Sequence, residues 1–119
     1  MPPSTDSFLE TDDITIQPND LGVPYNFVFN PCSSPSSNDG ALPFAATITQ
    51  AVVTAHTGAG TNASDLLQAA SLLNGYVITV YLKYPSTHGV GTYHLTFVLT
   101  LDSGAVMEFD FNHVVVTNI

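Results

Sequence analysis

Apolar and polar residues alternate strictly through the C-terminal third of the chain. Tyr93, Leu95, Phe97, Leu99 and Leu101 alternate with Thr92, His94, Thr96 and Thr100. After a turn, Met107, Phe109, Phe111 and Val115 alternate with Glu108, Asp110 and Asn112. A period of two puts one set of side chains in a core and leaves the other facing water or a partner. With the apolar run Tyr76–Leu82 leading into it, this region predicts a three-stranded antiparallel β-meander.

The same reasoning carries upstream. Ile14 and Ile16 mark a short strand, and Tyr25, Phe27 and Phe29 mark a second, separated by turn residues at Pro18–Gly22. Ala45–His56 has strand composition, with Ile48 and Val52 on one face and Ala51 and Val53 on the other. Two apolar faces suit a central strand. Ser64–Ala70 reads as a single helical turn with Ser64 as N-cap, or as an irregular edge strand. Asn74-Gly75 favours a two-residue type I′ hairpin turn, because both positions need positive φ. It would join Leu72-Leu73 to Tyr76–Leu82. Asp102-Ser103-Gly104 forms the last turn, with Gly104 in a left-handed bulge position. Pro31–Gly40, rich in Pro and Ser, reads as a long surface loop and the least ordered stretch of the domain. Residues 1–11 read as a flexible arm, leaving 12–119 as one domain. Short strands at this spacing without long helices predict an all-β, antiparallel immunoglobulin-like sandwich of about seven strands.

Length and composition agree with a folded domain. A chain of 119 residues buries roughly two-thirds of its unfolded surface, enough for a core without metal or disulfide. Ten acidic residues face one lysine, Lys83, and no arginine, for a formal charge of −9. A single cation cannot displace the counterions of a nucleic acid or hold an anionic membrane, so neither partner is expected. Stability must come from apolar packing, since the carboxylates have almost nothing to pair with. Thr, Ser and Asn at outward strand positions do little to prevent edge-to-edge association, which points to a protein that sits in an assembly. Cys32 is the only cysteine, so no intrachain disulfide forms. The N-terminus has neither a basic segment nor an apolar one, and no apolar run reaches the ~18 residues of a membrane span. The expected location is a cytoplasm, or a particle built in one.

Candidate chemistry is sparse. His56, His88, His94 and His113 lack metal-ligand spacing and read as surface residues. Asp12, Asp13 and Asp20 match no calcium loop. Glu108 and Asp110 share a strand face about 7 Å apart. That separation suits a glycosidase, but the site would need an aromatic cleft, and the chain has no tryptophan. A solvated strand face is the plainer reading. No GxSxG elbow, GxGxxG loop or P-loop occurs. Accordingly no catalytic, cofactor-binding or metal-ligating residue is assigned, no cofactor is expected, and the chain reads as a non-enzyme.

Three segments, ATITQAVVTAH, YVITVYLKYP and GVGTYHLTFVLTLDSGAVMEFDF, resemble a family of small immunoglobulin-like proteins of tailed bacteriophages, the fiber-tail adaptors and virion Ig-like modules. The resemblance falls between Ala45 and Phe111, a little over half of the chain. Relatives often carry Arg or Glu after the last turn, where this chain has Ala105-Val106-Met107-Glu108, so partner chemistry does not transfer. The resemblance implies a virion structural protein without catalytic residues, acting as a tail adaptor, neck protein or capsid decoration. Its partners would be head, neck, portal or tail subunits, met in several symmetric copies. The alternative is a carbohydrate-binding or adhesive sandwich using Tyr76, Tyr81, Tyr84 and Tyr93 as stacking rings.

Overall fold

Each long strand turns one apolar edge inward, and two such surfaces can be dried only against each other. The computed structural model, which describes residues 4–7 and 13–118, solves this with two sheets. Its strands are β1 (Ser4–Ser7), β2 (Ile14–Ile16), β3 (Leu21–Val28), β4 (Ile48–Thr57), β5 (Leu72–Asn74), β6 (Val77–Lys83), β7 (Gly91–Leu101) and β8 (Val106–Val116). One sheet has the order β1-β3-β6-β5 and the other β2-β8-β7-β4. Counted from β2, the second, fifth and fourth strands face the third, sixth and seventh, which is the immunoglobulin arrangement. The fold is therefore an all-β sandwich, as expected. Two edge pairings, β1 with β3 and β2 with β8, are parallel, whereas the rest are antiparallel. Of the arm expected over residues 1–11, residues 4–7 form β1, and the others lie outside the described residues.

The expected three-stranded meander is not formed. β7 and β8 pair as a hairpin, but β6 joins β3 and β5 in the opposite sheet. Alternation along a strand gives its inner face and not its sheet, so β6 could be placed only by its partners.

The core is aromatic where the sheets meet. Phe27 on β3 lies 4.8 Å, ring centre to ring centre, from Phe97 on β7 and 5.2 Å from Phe111 on β8. Phe29 lies 5.2 Å from Phe97 and 5.1 Å from Phe109. The tilted and edge-on contacts are those that ring quadrupoles favour. All five rings come from the strand phases read in the sequence, although Phe29 lies just beyond the end of β3. Phe27, Phe29 and Phe97 are fully buried.

Two strands depart from simple alternation, each through a bulge. In β8, Leu95 pairs with Phe111 while Tyr93 pairs with Val114, so Asn112 and His113 together face His94. The phase then reverses. Val114 and Val116 are buried, and Val115, expected in the core, is not. In β4 an extra residue, Thr49, lies between the pairs Ile48–Leu101 and Gln50–Thr100. Ile48 is consequently buried while Val52, expected on its face, points outward at 45% exposure. The strand is also an edge strand and not the expected central one.

The turns follow residue chemistry with small shifts. Asn74 pairs with Val77, so the hairpin loop is Gly75-Tyr76 and not Asn74-Gly75. Gly75 has φ +66°, as the first position of a type II′ turn requires. The shift sends Tyr76 back to the body, where its hydroxyl donates to the Ala46 carbonyl at 2.8 Å. Ser64–Leu66 forms a single 3-10 turn, the helical option. Its N-cap is Ala63 rather than Ser64, without a side-chain cap.

Tyr93 makes a further tie. Buried at the start of β7, it donates from its hydroxyl to the Gly89 carbonyl at 2.6 Å. This is the tyrosine corner of immunoglobulin sandwiches, at the connection that crosses between sheets. Asp65 steadies the same connection from the 3-10 turn, accepting from the Thr87 N–H at 2.8 Å and meeting His88 Nδ1 at 3.2 Å.

Removing the ring at the centre of the aromatic cluster, Phe97→Ala, is expected to cost about 3–5 kcal/mol in urea unfolding; a loss below about 1 kcal/mol would show that the cluster does not join the sheets. Tyr93→Phe is expected to cost about 0.5–1.5 kcal/mol by losing the hydroxyl's bond to the Gly89 carbonyl. Burial pushes the Tyr93 hydroxyl above its ordinary value of 10, with the charge of Asp65 and then Tyr84 adding to the rise. A raised folded-state value means its contribution is complete below pH 10 and is lost as pH climbs through the raised value. Wild-type stability should therefore fall more steeply than that of Tyr93→Phe in alkaline unfolding titrations, and superimposable slopes would refute this.

Candidate functional site

The outward face of the β2-β8-β7-β4 sheet gathers most of the polar residues singled out in the sequence. Cross-strand register sets them in rows. Val52, Val98 and Glu108 form one row, and Thr54, Thr96 and Asp110 the next. His56 faces His94 directly, and the β8 bulge brings Asn112 and His113 opposite His94. All of these except Val52 and His113 line a shallow groove of about 420 Å³. Thr96 donates to Asp110 at 2.9 Å. Glu108 and Asp110 are exposed and lie on one face, as expected. They stand on an open sheet and not in a cleft.

The four histidines divide into two kinds. His88 is paired with Asp65 at 3.2 Å and His113 with Asp13 at 3.3 Å. His56 and His94 face each other, their ring centres 5.8 Å apart and their planes inclined by 33°. Their proximity was not legible in the sequence, because it depends on the pairing of β4 with β7. Among the described residues, no group of three or more His, Cys, Asp or Glu side chains converges as a metal site, and no helix is long and apolar enough to cross a membrane. The four tyrosines do not form one platform. Tyr93 is buried, Tyr76 and Tyr84 pack on the core, and Tyr81 is half-buried on β6.

One edge of this sheet is β4, the other being the short β2. The Ala63 N–H donates to the Ala55 carbonyl at 2.9 Å, and the Thr57 N–H donates to Thr61 at 2.8 Å. Backbone groups of Ala55 and Thr57 thus point away from β7 and are covered by residues 57–63. Ala51 and Val53 share that phase, so their N–H and C=O groups point off the edge beyond the reach of this cover. β4 carries no Lys, Glu or Pro, the residues that usually blunt an edge. At one end of the sandwich, a second groove of about 480 Å³ is bordered by Phe44, Ala46, Leu101 and Met107. Ala45 has φ +64° there, a left-handed conformation costly for a residue with a Cβ. The turn, closed by the Ala46 N–H on the Pro43 carbonyl at 3.1 Å, leaves Phe44 49% exposed.

The loop Pro31–Gly40 is more ordered than its composition predicts. Asp39 accepts from the Ser33 hydroxyl at 2.6 Å, the Ser33 N–H at 2.9 Å and the Ser37 hydroxyl at 2.9 Å. These bonds, the Ser33 hydroxyl foremost, hold its carboxyl at about 2. Gly40 closes the loop against Pro31 and Cys32. A Cβ there would run into the Pro31 backbone carbonyl and the Cys32 nitrogen, so no other residue fits. Half-buried Cys32 sits with its thiol 3.7 Å from the Gly40 carbonyl.

No family model, curated protein or solved structure matches the chain.

Asp39→Asn is expected to speed amide exchange at Ser33 and Ser37 while leaving the sheets unchanged. Because the folded-state carboxyl lies below its ordinary value of 3.8, the anchorage is complete above that value and is lost as pH falls through about 2. Protection of the Ser33 amide, corrected for intrinsic rates, should hold at pH 4 and fail near pH 2. Equal protection in wild type and variant would remove Asp39 from this role.

Proposed function

We propose that the chain is a non-enzymatic structural module of a bacteriophage virion. It docks to a head, neck or tail component as an adaptor or decoration, in several symmetric copies. The observation that carries this reading is the unblocked β4 edge beside a flat, threonine-rich sheet face. A strand edge offers backbone donors and acceptors at the repeat another strand needs, and here the adjoining side chains are short and uncharged. Val52 lies on the outward face of that strand at 45% exposure. The end groove with Phe44, 49% exposed, supplies apolar surface of the kind that interfaces cover. The resemblance of Ala45–His56 and Val77–Phe111 to virion Ig-like modules supports the particle setting.

The test is rebinding. Light scattering and sedimentation would follow purified protein alone and with virions stripped of it. Wild type should return to the particle. Val52→Lys, a charge beside the edge that leaves the core untouched, should weaken rebinding by about tenfold, or 1.4 kcal/mol, with an unchanged thermal midpoint. A protein that stays monomeric and never returns to stripped particles would overturn the proposal.

A further inference from the structure

We propose that His56 and His94 form a two-histidine chelate for a divalent transition ion on the open sheet face. Three observations carry this, and none depends on the virion reading. First, the two residues are register partners on adjacent strands, so the backbone ladder fixes their spacing. β7 is held between β4 and β8, and the end of β4 bearing His56 is closed by the loop that bridges His56 to Asn62. Second, the separation fits shared coordination. With metal–nitrogen bonds of about 2.0–2.1 Å and ring centres therefore about 3.2 Å from the ion, centres 5.8 Å apart subtend roughly 130° at the metal. Small side-chain rotations bring this to a tetrahedral angle. Third, among the described residues these are the two imidazoles without a carboxylate partner. His88 and His113 are held by Asp65 and Asp13, whereas neither ring of the facing pair makes a hydrogen bond among the described residues.

The chemistry selects the ion class. Two neutral imidazoles favour Cu²⁺, Ni²⁺ and Zn²⁺ over Mg²⁺ and Ca²⁺, which prefer oxygen. The protein supplies two ligands, and no third His, Cys, Asp or Glu among the described residues completes the site. The remaining coordination positions therefore face the groove and take water or an incoming ligand. Such a site is exchangeable, unlike a closed structural zinc site.

The experiment is calorimetric titration of the untagged chain with zinc chloride and with nickel chloride. One ion per chain is expected, with magnesium and calcium giving no heat of binding. His56→Ala and His94→Ala should each weaken affinity by about tenfold or more, as losing even outer support for a ligand does. The double variant His88→Ala, His113→Ala should bind as wild type does. Both facing histidines are only partly buried, and circular dichroism confirms each fold; if one variant fails to fold, the other decides. Unchanged affinity in a folded His56→Ala or His94→Ala variant, or loss of binding in the double variant, overturns the proposal.

Discussion

The interlock of phenylalanines between the sheets is the contact on which the rest of the structure depends. Immunoglobulin domains of antibodies pin their sheets with a disulfide against a tryptophan. This chain has one cysteine and no tryptophan. Phe27 and Phe29 from one side and Phe97, Phe109 and Phe111 from the other occupy the same middle layer, each ring touching a ring of the opposite sheet. Packing of this kind scales with buried area and does not need charge. That is why a protein with a formal charge of −9 and a single lysine can be held together at all: among the described residues no carboxylate is buried in the core, and several are tied to serines, threonine, backbone amides and histidines.

Around that layer, local ties place the connections. Tyr93 anchors the crossing from β6 to β7, Asp65 steadies the same loop from the 3-10 turn, and Asp39 gathers the Pro31–Gly40 loop. Each tie is a hydroxyl or carboxylate meeting donors or acceptors that would otherwise be solvated. The loops thus keep their shape without adding to the core, and the sheet face bearing His56, His94, Thr96 and Asp110 remains open.

Much of the fold was legible because period-two alternation reports burial directly. Phe27, Phe97, Leu99, Leu101 and Phe111 all face the core, as their spacing implied. What alternation cannot report is the partner of a strand, so β6 was assigned to a meander and β4 to a central position. Nor can it report a bulge, since one extra residue leaves composition untouched while reversing every face beyond it; Val115 was placed inward and Val52 on the face of Ile48 for that reason. The Gly75 turn was found but centred one residue early, because Asn-Gly and Gly-Tyr both supply a glycine that accepts positive φ. Glu108 and Asp110 were placed on one face correctly, as both lie on a single strand. The facing of His56 and His94 needed two strands distant in sequence. The tyrosine corner had a readable trace in Tyr93, which opens an alternating strand just after a glycine-rich turn.

The doubled residue at Asn112–His113 has a consequence for how this chain can change. It works as a frame shift within the strand: upstream, odd-numbered positions are inward, and downstream, even-numbered ones are. Loss of one of the two would close the bulge and keep every inward face, but loss of both would put the segment after them out of phase, turning Val115 inward in place of Val114 and Val116 and breaking its register with β2. The final strand therefore carries one residue it could lose without turning a side chain over, and no second one.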